Sequence, residues 1–150
     1  MPKFSDRSLE RLNTCHADLQ TVMQLAVKVM DFSILCGHRG KDDQAKAVLA
    51  GYSKTNFPNS KHNKYPSHAI DIAPYPFNVA PSIKSVSRFY YLAGIVQAIA
   101  QELEIEIKWG GDWLRTATIG HCRPDFTKNN FDDLFHFELI NVADIELTKL

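Results

Sequence analysis

Two short alternating runs constrain this chain most: His68-Ala-Ile-Asp-Ile-Ala73 and Leu134-Phe-His-Phe-Glu-Leu-Ile140. Both read as strands, and side chains along a strand alternate between faces. In the first run Ala69, Asp71 and Ala73 share one side, and His68, Ile70 and Ile72 the other. In the second, Phe135, Phe137 and Leu139 form an apolar face that reads as core, while Leu134, His136 and Glu138 form its opposite. A fold that buries both apolar faces carries Asp71 and His136 to one side of a sheet.

The polar loop between Gly51 and Pro66 supplies a further imidazole, His62, which is free to fold back over Asp71. A loop of that length is itself a pointer to function. His68 is nearer in sequence, but strand parity turns it away from Asp71, so it reads as a partly buried residue. Asp133 stands three residues before His136, where the run begins and parity is loose. Catalytic zinc needs three N or O ligands, an open position and a nearby base. Two imidazoles, one carboxylate and a second carboxylate meet that requirement.

Around these runs the chain reads as α+β: a small antiparallel sheet flanked by two long helices, with the zinc site at the sheet face. Residues 6–30 read as one amphipathic helix, with Leu9, Leu12, His16, Leu19, Met23, Ala26 or Val27, and Met30 at helical spacing and Ser5 as N-cap. Residues 82–103 read as the second, with Val86, Phe89, Tyr90, Ala93, Val96, Ile99, Ala100 and Leu103 as its buried stripe. Phe32–Cys36 and Glu104–Lys108 read as strands, residues 42–50 as a short helix and 114–132 as an irregular loop. No repeat or linker divides the 150 residues, which suit one domain with a single core.

Charge narrows the function. Lys plus Arg and Asp plus Glu number 17 each, which argues against an electrostatically driven nucleic-acid binder or a membrane-surface protein. No apolar run approaches the roughly 20 residues that span a bilayer. The start, Met1-Pro2-Lys3-Phe4-Ser5-Asp6, lacks the apolar segment of a signal peptide, so a cytoplasmic protein is expected. Three cysteines, Cys15, Cys36 and Cys122, cannot all pair within one chain and read as reduced thiols. Cys36 reads as a small buried residue at the end of an apolar run; a soft zinc site formed with His38, His121 and Cys122 is the lesser reading.

The motifs Ser60-x-His62, Ala69-x-Asp71 and Asp133-x-x-His136 resemble the signature of the M15 family of zinc peptidases. Gly37-His38-Arg39 followed by Gln44, Ala73-Pro74-Tyr75-Pro76, Trp109-Gly110-Gly111-Asp112-Trp113 and His136-Phe137-Glu138-Leu139 extend the resemblance over roughly residues 30 to 140. His62 and Asp71 stand nine apart, where many members have seven with an intervening Gly; a phage subgroup has this longer form. The resemblance implies zinc held by His62, Asp71 and His136, with Asp133 as general base and Arg39 stabilising charge on the reacting carbonyl oxygen. It implies supporting or substrate-contacting places for Ser60, Gln44, Asp112, Trp113 and Glu138.

The small phage-type members cut the L-alanyl-D-glutamate bond of peptidoglycan, so the expected activity is that of an endolysin-like endopeptidase. A monomer acting on the cell wall after release, through a holin-like partner if phage-encoded, goes with that reading. A D-alanyl-D-alanine carboxypeptidase or dipeptidase would use the same chemistry. A non-catalytic zinc-containing binding module would need neither Asp133 nor Arg39. An HNH-like nuclease, raised by His62-Asn63, is disfavoured by the neutral charge.

Overall fold

The computed structural model describes residues 1–77, 83–116 and 132–142. In chain order these form helices α1 (Asp6–Leu12) and α2 (Ala17–Ala26), strand β1 (Phe32–Cys36), helix α3 (Lys41–Leu49), a single 3-10 turn (Lys61–Asn63), strand β2 (Ala69–Pro74), helix α4 (Ile83–Glu102), and strands β3 (Ile107–Trp109) and β4 (His136–Leu139). The four strands make one antiparallel sheet in the order β1-β2-β4-β3. The α+β reading therefore holds.

The expected single helix over 6–30 does not form; two shorter helices replace it. Ser5 does cap α1, accepting from the Ser8 amide. The break at 13–16 is a tertiary effect. Ser67 donates its amide to the Thr14 carbonyl at 2.8 Å, and its own carbonyl accepts from the His16 amide at 2.9 Å. Backbone groups that would continue the helix are thus bonded to a distant segment. His16 becomes the N-cap of α2, its Nδ1 accepting from the Asp18 amide.

One sheet face and the helices make the core. Ile34, Ile70, Ile72, Phe137 and Leu139 bury against Leu19, Val22, Met23 and Ala26 of α2 and Leu92, Ala93, Val96 and Ala100 of α4. Two expected members of the α4 stripe, Val86 and Leu103, are exposed, while Tyr90 and Ile99 pack against the core edge. The β3 strand starts later than expected because α4 exits through Glu104, which adopts a left-handed conformation at φ 57°.

At β4 the parity reading holds for Phe137 and Leu139 but not for Phe135. Phe135 precedes the strand and joins an aromatic group with Phe77 and Phe89, while Leu134 packs against the core in its place. β1 is an edge strand, and α1 covers part of that edge. Ile34 donates its amide to Ser8 Oγ at 3.1 Å and accepts from Arg11 Nη1 at 2.9 Å. Bonding an open edge in this way removes a template for aggregation.

Candidate active site

The face opposite the core carries the polar residues. Register places Asp71 of β2 beside His136 of β4, and beside Cys36 of β1 on its other flank. His62 arrives from above on the 3-10 turn. Ser60 caps that turn, its Oγ accepting from the His62 amide at 3.2 Å. Asn63 completes a reciprocal cap, its Oδ1 accepting from the Ser60 amide at 3.1 Å. His62 is 3% exposed, so the turn presses its ring into the sheet.

Both imidazoles have their tautomers set from behind. His62 Nδ1 lies 2.7 Å from the Gly37 carbonyl, which can only accept, so Nε2 is the nitrogen turned to Asp71 Oδ1, at 3.3 Å. His136 Nε2 lies 3.1 Å from Glu138 Oε1, leaving Nδ1 to face the same Asp71 oxygen at 3.2 Å. Lys61 holds Glu138 in turn, Nζ to Oε2 at 3.0 Å. A carboxylate partner behind a ligand imidazole fixes its orientation and raises its basicity.

Without a cation this cluster must hold protons. Burial lowers the His62 pKa, but hydrogen bonds to Asp71 and Cys36 outweigh it and raise it to about 10. His136 is raised against burial by Asp71 and then Glu138. Burial raises the Asp71 carboxyl, yet hydrogen bonds from His136 and His62 hold it well below the usual carboxylate range. Two ring nitrogens aimed at one carboxylate oxygen are the donor set of a divalent cation that displaces those protons. The chemistry of the residues present therefore fits a divalent cation such as zinc.

Asp133 stands just before β4. A carboxylate oxygen of Asp133 lies within 4.8 Å of an Asp71 oxygen and a His136 ring nitrogen. Burial, then the Asp71 charge, raises its pKa. Two features hold its loop. Gly110 exchanges hydrogen bonds with it, donating to the His136 carbonyl at 2.8 Å and accepting from the Asp133 amide at 2.9 Å. Trp109 Nε1 donates to the Leu134 carbonyl at 2.9 Å. A Cβ on Gly110 would stand 2.1 Å from the Asp133 carbonyl oxygen, so only glycine permits this approach.

Arg39 sits just beyond β1, its amide bonded to the His62 carbonyl at 2.8 Å. Its Nη1 donates to Gln44 Oε1 at 3.1 Å, while Nη2 makes a longer contact of 3.5 Å with Asp71 Oδ2. Gln44 is fully buried and also accepts from Asn63 Nδ2 while donating to Ser53 Oγ and the Thr55 carbonyl. It thereby ties Arg39, the His62 turn and the 53–55 loop together.

The Trp113 ring tilts against His136 with centroids 5.7 Å apart, forming a wall beside the cluster. Asp112 is buried, and its Oδ1 accepts from the Thr116 amide and hydroxyl, which caps the turn that presents Trp113. His68 faces away as parity requires and meets His16 edge-to-face. His38 packs edge-to-face against Tyr65; His121 and Cys122 lie outside the described residues.

Sequence reasoning missed Lys61 and Asn63, and it read Cys36 as a small buried residue where the structure leaves it half-buried beside His62. For Asn63 a signal was present, since Ser60-x-x-Asn63 has the spacing of a capping box. For Cys36 there was none, because a β-bulge decides its direction. Cys15 and Cys36 form no disulfide, as expected.

The site is a candidate metal centre on an α+β fold, and comparison supplies the family. The sequence matches the phage L-alanyl-D-glutamate peptidase family over residues 1–140, and the chain belongs to it. It is similar to the crystal structure of the Serratia marcescens L-Ala D-Glu endopeptidase ChiX, at 29% identity and a TM-score of 0.66, covering 91% of this chain and 89% of that one. No curated protein matches. Family and structural match together support an L-alanyl-D-glutamate endopeptidase of peptidoglycan. Among the described residues no helix is long and apolar enough to cross a membrane.

Proposed function

We propose that the chain hydrolyses the L-alanyl-D-glutamate bond of peptidoglycan stem peptides as a zinc enzyme, with His62, Asp71 and His136 as ligands. The observation that carries this is the convergence of His62 Nε2 and His136 Nδ1 on Asp71 Oδ1, each ring anchored from behind by Gly37 or Glu138. When bound, zinc supplies Lewis-acid polarisation of water and of the scissile carbonyl.

The chain's own residues do the rest. Asp133 takes the proton of the attacking water on its carboxylate and delivers it to the leaving amine. Its raised pKa suits a group that must both accept and return a proton. Arg39 presents Nη2 to the carbonyl oxygen as negative charge develops, while Gln44 keeps Nη1 in place. Trp113 and the 53–55 loop wall the cleft for an extended peptide.

Purified peptidoglycan digested with the protein should yield new amino termini on D-glutamate, with glycan strands intact, by mass spectrometry. D-alanine as the main product would replace this reading with a carboxypeptidase. Absence of cleavage by zinc-loaded protein would replace it with a binding module. The same reading takes the protein as a monomer that, if phage-encoded, reaches its substrate through a holin-like partner.

A further inference from the structure

The proposed mechanism leaves one side chain on the site face unused. Strands β1 and β2 pair as Ile34 with Ile72, and then the register slips so that Cys36 pairs with Asp71. In an unbroken ladder Leu35 would oppose Asp71 and Cys36 would oppose Ile70, on the core face. The bulge leaves Leu35 unpaired and turns Cys36 to the polar side; bulges commonly re-aim side chains next to active sites. Its Sγ comes to 3.9 Å from His62 Nδ1 and 3.6 Å from Arg39 Nη2.

Ligand atoms of Cys36, His62 and Asp71 all lie within 4.8 Å of one another. Donors sharing one four-coordinate ion with bonds of roughly 2.0–2.3 Å stand about 3–4 Å apart. Small side-chain adjustments close that difference. A thiolate beside an imidazole and a carboxylate selects soft divalent ions over hard ones.

We propose that Cys36, His62 and Asp71 form a second cation site, selective for a thiophilic divalent ion such as cadmium or zinc in excess, whose occupation shuts down the peptidase. On binding, the sulfur–metal and imidazole–metal bonds form, and the thiol proton and one His62 ring proton leave to solvent; nothing is oxidised or reduced. Inhibition follows because this set takes two of the three residues of the proposed catalytic set. It also displaces Arg39 Nη2, whose contacts with Sγ and Asp71 are long, while Gln44 retains Nη1. The inhibitory consequence rests on the function proposed above; the binding does not.

Cadmium titration of the metal-free full chain, followed by thiolate-to-cadmium ultraviolet absorption, tests the site in wild type, Cys36→Ser and His136→Ala. Wild type and His136→Ala should develop the band at the first equivalent, and Cys36→Ser should not. An unchanged band in Cys36→Ser would assign it to another cysteine and overturn the site. Its loss in His136→Ala would mean one shared centre and overturn a second one. Circular dichroism of Cys36→Ser and Cys36→Ala shows whether either has lost its fold, and whichever retains it is used.

Peptidase rates, each against the same protein's untreated rate, test the consequence. The Cys36 variant should need at least the roughly tenfold more cadmium that even an outer partner of a metal site is worth. Equal sensitivity would overturn the inhibitory role. Should His136→Ala retain full catalysis, the catalytic set fails while the cadmium band still reports on Cys36.

Discussion

His62 and His136 face the same carboxylate oxygen at nearly equal distances, yet the chain delivers them by opposite means. His136 stands in a strand. Its position follows from the β2–β4 ladder, and only its ring rotation needs the Glu138–Lys61 pair. His62 stands on a three-residue turn with no ladder. Its position needs Ser60, Asn63, the Gly37 carbonyl and, through Asn63, Gln44 and Arg39. A strand places a ligand through backbone pairing, whereas a loop must recruit side chains for the same accuracy. Damage at the His136 side should therefore stay local, and damage at the His62 side should spread to Arg39.

The largest effect should come from the imidazoles themselves. His62→Ala and His136→Ala should each empty the zinc site, and His68→Ala should leave it filled, by metal analysis of purified protein. Zinc lost from His68→Ala and kept by His62→Ala would overturn the ligand set.

Asp133→Ala should retain zinc and fold while losing about two to four orders of magnitude in turnover, the usual worth of a general base. Gly110→Ala should move in the same direction, because a Cβ there meets the Asp133 carbonyl oxygen and displaces the base. Near-normal rates from zinc-replete Asp133→Ala protein would remove it from the mechanism.

Smaller effects separate the two anchors. Glu138→Ala should weaken zinc about 10- to 100-fold, as removal of a ligand's partner does. Asn63→Ala should weaken zinc as well but also lower kcat in zinc-saturated protein, since Asn63 also bonds the Arg39 carbonyl at 2.9 Å and Gln44. Zinc titrations paired with saturated-enzyme kinetics check this. Identical behaviour of the two variants would erase the difference between the strand-borne and the turn-borne imidazole.

The smallest expected signal is in the pH dependence of metal-free stability. His62 is raised from 6.5 to about 10, so its contribution is complete below 6.5 and disappears as pH rises through about 10. Glu138 is lowered from 4.5 to about 2, against burial, by hydrogen bonds from His136 and then Lys61. Its contribution is present above 4.5 and disappears as pH falls through about 2. Thermal melts across pH should thus show an alkaline limb reduced by His62→Ala, with His136 supplying the remainder, and an acid limb reduced by Glu138→Ala, with Asp71 supplying the remainder. Zinc should suppress the alkaline limb, because it replaces the His62 proton.

Strand alternation by itself determined that Asp71 and His136 share a face, because a period of two admits only two assignments and the core takes one of them. The same rule sent His68 away from Asp71. The position of Asp133 before His136, together with the resemblance to the M15 peptidases, made it legible as a candidate, and the resemblance alone singled out Ser60. Periodicity also found α4, α3 and all four strands, with shifts at their ends.

Only the tertiary structure decided the break at 13–16, since the competing hydrogen-bond partner is Ser67, far along the chain. It alone placed Phe135 outside the strand and turned Cys36 onto the site face, because a single unpaired residue inverts every side chain beyond it. Local pattern encodes which residues can share a face. Where a ladder slips, or a loop folds back on a distant carbonyl, the deciding energy lies in contacts that no local window contains.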